Sequence, residues 1–241
     1  MGPSTHSTLP FNNNLNKHHI HHAFTIMALE YKIIPVTPFA QNCTVVWCTD
    51  TNLAAVIDPG GDIDKISSFI QAKGLELDKI LITHAHLDHA GGTAELARRF
   101  GVPIVGPQKA DQFWIDLLPE QCQQFGFEGE PFTPDRWLHH KDSVSLGKLN
   151  FDVVHCPGHT PGHVVFVEKS QHFAAVGDVL FQGSIGRSDF PKGNQTDLVN
   201  SIRERLFPLG DNIKFIPGHG PMSTFGQERE NNPFVADTRF G

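Results

Sequence analysis

The sequence predicts an α/β protein built as two packed β-sheets with helices over both outer faces, in one domain. Two observations carry this expectation. Strand-like runs alternate with amphipathic helical segments, and the β-rich-then-helical pattern occurs in both halves of the chain. No internal linker or obvious repeat separates the halves, so the 241 residues suffice for one large domain with a sizeable core.

Tyr31 to Val36, Cys43 to Cys48 and Leu53 to Ile57 read as strands, ending at the bend Asp58-Pro59-Gly60-Gly61. Residues 62–73 read as a helix, with Ile63, Ile66 and Ile70 on one face and Gly74 as the stop. A strand at Lys79 to Ile82 leads into a polar turn, and Thr93 to Phe100 forms the next helix, its partly positive N-terminus directed at that turn. Gln108 to Leu118 reads as a weaker helix, and residues 119–143 as irregular, either capping a cleft or forming a surface loop. Leu149 to His155, Val164 to Glu168 and His172 to Val176 are strands, with a tight turn at Lys169-Ser170-Gln171. Thr196 to Phe207 is a helix with Leu198, Ile202 and Leu206 on one stripe and Thr196 as its cap.

The tract before this domain differs in composition. Residues 1–26 are rich in Asn, His, Ser and Thr, with His18, His19, His21 and His22 close together. They read as a disordered or non-native tail, with the domain occupying residues 27–241. Net charge is −7 and no basic stripe is present, which argues against nucleic acid as a partner. No apolar run approaches the length of a membrane span. The four cysteines form no CxxC pair or disulfide framework, so a cytoplasmic location is the expectation.

The chemistry concentrates at Thr83-His84-Ala85-His86-Leu87-Asp88-His89, where three histidines and a carboxylate fall on a turn between an apolar strand and a glycine pair. Such a turn wraps a backbone around a metal, with His84 and His86 facing one ion and Asp88 and His89 a second. Three further residues occupy similar settings, each at a Gly or Pro bend after a β-rich run: His159 in Pro157-Gly158-His159, Asp178 in Gly177-Asp178, and His219 in Pro217-Gly218-His219. Ligands offered from strand ends lie along one edge of a sheet, where sites of this kind are built. A lone histidine after a strand is usually only hydrogen-bonded; four loops with this layout are not explained that way.

The HxHxDH loop and the order of His159, Asp178 and His219 resemble the metallo-β-lactamase superfamily of hydrolases over nearly all of residues 29–235. The resemblance implies a four-layer αββα sandwich. It also implies that His84, His86 and His159 hold one metal, that Asp88, His89 and His219 hold another, and that Asp178 bridges them. Five neutral imidazoles and two carboxylates around two divalent cations leave roughly two positive charges, which keeps Lewis acidity and suits hydrolysis. Zinc is the expected metal, with iron or manganese also compatible.

The segments from Cys156 to His163 and from Pro217 to Pro221 look most like glyoxalase II and its short single-domain relatives. That resemblance implies hydrolysis of a glutathione thioester such as S-lactoylglutathione by a metal-bridging hydroxide, with Asp88 and Asp178 as catalytic residues. Two features depart from it. The chain stops about where the glutathione-gripping helical domain of full-length glyoxalase II would begin. The stretch from Gly183 to Phe190 resembles instead persulfide dioxygenases, in which His84, His159 and Asp178 would hold a single iron, and the short stand-alone hydrolases. Arg187 and Lys192 are candidate contacts to a substrate carboxylate, although Arg187 equally reads as the partner of Asp189. Asp58 reads either as a support for a ligand histidine or as a turn cap, and His155 and His163 as packing or surface residues. The oligomeric state is left open, a monomer being the simpler expectation.

Overall fold

The computed structural model describes residues 1–2 and 28–240. The reading of residues 1–26 as a tail, including its histidine tract, therefore falls outside the described residues except at Met1 and Gly2.

Strands β1 (Leu29–Val36), β2 (Gln41–Cys48) and β3 (Leu53–Ile57) form an antiparallel meander. Helix α1 (Ile63–Lys73) then crosses to β4 (Glu76–Leu81), which runs parallel to β3. A single helical turn, α2 (Leu87–Ala90), precedes α3 (Thr93–Phe100), and β5 (Ile104–Val105) closes a five-stranded sheet in the order β1-β2-β3-β4-β5. Helices α4 (Gln112–Asp116) and α5 (Leu118–Gln124) lead to the second sheet. There β6 (Ser143–Leu146), β7 (Leu149–His155), β8 (Val164–Glu168) and β9 (Phe173–Gly177) pair antiparallel in sequence. A small hairpin of β10 (Leu180–Phe181) and β11 (Ser184–Ile185) precedes α6 (Gln195–Asn200). Strand β12 (Lys214–Pro217) runs parallel to β9, β13 (Ser223–Thr224) pairs with β12, and α7 (Phe225–Asn231) follows.

Three apolar layers define four structural ones. Between the sheets, Val46, Ile57 and Leu81 meet Phe151, Phe166 and Ile216. Outside the first sheet, Val45, Val56 and Ile80 pack under Ile66 and Ile70 of α1 and Leu96 of α3. Outside the second, Val165, Val176 and Phe215 pack under Leu198, Ile202 and Phe225. The strand period of two explains how adjacent residues serve different layers: Phe166 faces inward and Val165 and Val167 outward. Strands buried on both faces read as nearly continuous apolar runs, as β3 and β8 do. The αββα expectation holds.

Several local expectations change. Asn194, not Thr196, caps α6, its side chain accepting from the Asp197 amide at 3.1 Å. Residues 201–206 continue as a π-helical turn rather than an α-helix. The supposedly irregular stretch from 119 contains most of α5, because Pro119 at the first turn needs no amide partner and favours helix entry. The metal turn enters α3 through α2, which carries Asp88 and His89.

Candidate metal centre

The seven sequence-predicted residues meet at one edge of the sandwich. His84, His86, Asp88 and His89 follow β4, His159 follows β7, Asp178 follows β9 and His219 follows β12. Hydrogen bonds lock these ends together within and between the sheets. The Val164 amide donates to the Thr83 carbonyl at 2.8 Å and the Gly218 amide to the Gly177 carbonyl at 2.8 Å. Asn42 of β2 pins the third loop, its side-chain amide donating to the Pro217 and Gly220 carbonyls at 3.0 and 2.9 Å. Gly218 has to lack a side chain, because a carbon there would collide with the Asp178 carboxylate and the His89 ring.

The donor atoms form two triads, His84/His86/His159 and Asp88/His89/His219, each with its ligand atoms within 4.8 Å of one another. In the first, His159 Nε2 lies 2.9 Å from His86 Nδ1. In the second, His219 Nε2 lies 3.0 Å from Asp88 Oδ2 and His89 Nε2 lies 3.7 Å from it. Asp178 stands between them, Oδ1 at 3.3 Å from His89 Nε2 and Oδ2 at 3.6 Å from His159 Nε2 and 3.8 Å from His219 Nε2. The first triad is buried, whereas Asp88 and His219 are partly open. Solvent therefore meets the site from the second triad.

Electrostatics divide the triads in the same way. Burial pushes His84 well below the usual imidazole range, and pulls His86 down to about 3 and His159 down as well. These rings are neutral at pH 7, with lone pairs free to coordinate. Burial opposes charge on His89 too, but Asp178 and Asp88 outweigh it and hold that imidazole well above its ordinary value. Burial likewise opposes ionisation of Asp178, and the neighbouring imidazoles, His89 first, hold it far below the carboxylate range. A proton among the carboxylates thus sits where a cation's charge would serve. Buried His84 Nε2 and His86 Nε2 have no hydrogen-bond partner among the described residues, unusual orphans for a folded interior. The donor set fits divalent cations.

Supporting residues fix the ring orientations. Asp58 resolves in favour of support: its Oδ2 meets His89 Nδ1 at 2.9 Å and accepts from Thr83 Oγ1 at 2.6 Å, while Oδ1 accepts from the Thr83 amide at 2.7 Å. That leaves His89 Nε2 directed into the site. His159 Nδ1 is held by the Arg187 carbonyl at 2.7 Å. His163 does more than pack, since its Nε2 accepts from the Asp178 amide at 3.1 Å and its ring stacks on His84 with centroids 4.5 Å apart. His155 stays outside the cluster, Nε2 bonded to the Pro161 carbonyl. Asp111, Trp114 and Phe190 were not foreseen. Trp114 and Phe190 pack on His86, with ring centroids 4.6 and 4.7 Å away. Their signal, isolated aromatic and polar residues in weakly patterned segments, is indistinguishable from core or surface in sequence.

Of the two cationic candidates, Arg187 is engaged by Asp189 through Nε at 3.0 Å and Nη2 at 2.9 Å. Lys192 is exposed and lies over the Phe113 ring at 3.9 Å, with no carboxylate partner among the described residues. Phe181 is half-buried and lies 6.5 Å from His219 by ring centroids.

The family model of the metallo-beta-lactamase superfamily matches residues 36–219. The chain belongs to the metallo-β-lactamase superfamily. It is 46% identical over 209 residues to hydroxyacylglutathione hydrolase GloC of Haemophilus influenzae, covering 86% of this chain and 98% of that one. Among solved structures, BLEG-1 B3 metallo-beta-lactamase superposes with a TM-score of 0.79 at 34% identity, covering 86% of this chain and 99% of that chain. TTHA1623, solved in a di-iron-bound form, superposes with a TM-score of 0.77 at 33% identity, covering 85% and 100%.

Proposed function

We propose that this protein is a binuclear metallohydrolase cleaving a glutathione thioester, S-lactoylglutathione being the expected substrate. The observation that carries the reading is the pair of donor triads flanking Asp178, with an all-His/carboxylate set and no cysteine ligand. The likeness to GloC, whose name states hydroxyacylglutathione hydrolysis, supports the substrate class. Divalent ions, zinc by expectation, when bound here would supply a water made nucleophilic at neutral pH and an electrophile for the thioester carbonyl.

The chain's own residues supply the rest. Asp88 and His219, on the solvent side, are placed to orient the incoming water, and Asp178 holds the two triads in register. Trp114 and Phe190 wall off His86 and His159 from bulk solvent, which strengthens the local field. A thiolate is a good leaving group, so no dedicated acid is required. Of the two candidate cations, Lys192 is the one that would meet a glutathione carboxylate, because Arg187 is paired.

The direct test follows thioester loss from S-lactoylglutathione with purified protein, alongside β-lactam and glutathione persulfide substrates. Thioester cleavage is expected to dominate, and Lys192→Ala to raise KM several-fold with little change in kcat. Cleavage of the lactam without the thioester would overturn the reading.

A further inference from the structure

We propose that Asp111 is the positioning residue for the His84/His86/His159 triad, tying the loop that bears two of those histidines to the loop that bears the third. The proposal rests on the metallohydrolase reading above and deepens it. Asp111 is fully buried. Its Oδ2 accepts from the Ala85 amide at 3.2 Å and from Thr160 Oγ1 at 2.8 Å, and its Oδ1 accepts from the Gly162 amide at 2.5 Å. Ala85 lies between His84 and His86, and Thr160 directly follows His159. One carboxylate thus sets the spacing across which His86 Nδ1 and His159 Nε2 stand 2.9 Å apart.

The ordinary role for an aspartate in this place would be capping. Asp111 occupies the position before α4, yet its side chain makes no cap bond to that helix. Its bonds go to the two ligand loops. Backbone pairing of the Gln108 amide with the Gly162 carbonyl at 3.0 Å seats the turn, and Gly162 has no room for a side chain against Gln108 and Asp111. One helical turn on, Trp114 presses its edge to His86. Because both carboxylate oxygens accept, an amide in this place would set a donor against a donor. Keeping a charge here is costly, as burial pushes the carboxyl up to about 7.

The test separates the triads. Protein loaded with cobalt(II) is challenged with a chelator, and release is followed by cobalt absorption and metal content. In a His219→Ala background, which keeps the first triad, Asp111→Asn should accelerate release by roughly 10–100-fold. In a His86→Ala background, which keeps the second, the same substitution should leave release unchanged. Thr160→Val removes one donor but spares the carboxylate, and should give an intermediate acceleration in the first background only. Equal acceleration in both backgrounds, or none in either, would overturn the assignment. Wild-type protein that takes up no cobalt would overturn the metal reading itself, and that result is distinguishable because it is seen before any variant is made.

Discussion

His89 is the residue whose protonation links the metal-free and metal-loaded proteins. Its folded-state pKa is raised above the ordinary 6.5, Asp178 and Asp88 overcoming the opposing effect of burial. A raised imidazole stabilises the metal-free fold fully below about pH 6.5, and that contribution disappears as pH rises through the raised value. A metal ion has to displace the same proton. The Tm of the metal-free protein should therefore fall as pH is raised above 6.5, while the gain in Tm on adding zinc should grow; a gain independent of pH would contradict this. Asp58→Ala removes the group that orients His89 and should weaken metal affinity roughly 10–100-fold, measured by competition with a chromophoric chelator. Asp178→Ala and His86→Ala should abolish hydrolysis with circular dichroism unchanged, and retained activity in the first would contradict a bridging position. That these seven side chains would gather along one sheet edge was legible in sequence, because metal-ligating residue types sit at Gly and Pro bends after apolar strands. Asp111 and His163 were not, since their meaning lies in which distant amide or hydroxyl each reaches.

Secondary-structure elements hold the site through a few close approaches. Gly158 adopts φ 140°, and a side chain there would run into the Leu198 backbone at the start of α6. Gly158→Ala must displace either α6 or the loop presenting His159, so it should cost about 1–3 kcal/mol and also reduce activity. Ile66→Ala, on the buried face of α1 in the outer layer, should cost about 2–5 kcal/mol in denaturant unfolding with kcat per folded molecule unchanged. A matching loss of kcat would mean that the outer layer is coupled to the centre. Strands and amphipathic helices were readable from their periods. The cap and continuation of α6 were not: Asn194 and Thr196 are both acceptable caps, and backbone geometry alone selects the first. The two-residue strands β5, β10, β11 and β13 carry too few residues to show any period.

At the scale of the whole molecule, two sheets contribute to one centre, and cross-sheet bonds such as those of Asn42 and Thr83 keep their edges aligned. The four-layer arrangement was foreseeable because strands covered on both faces must find two apolar partners, and the sequence supplies helices with matching stripes. The way the sheets are aligned was not, because it depends on loop-to-loop hydrogen bonds that leave no periodic trace. Among the described residues no helix is long and apolar enough to cross a membrane. The central claim is that both triads are loaded and that the loaded centre hydrolyses a thioester. Elemental analysis of freshly purified protein, combined with thioester cleavage and oxygen uptake on the same sample, tests it most directly. Two metal ions per chain, cleavage of S-lactoylglutathione and no oxygen consumed are expected; one iron per chain, oxygen consumed on glutathione persulfide and an intact thioester would overturn the hydrolase reading.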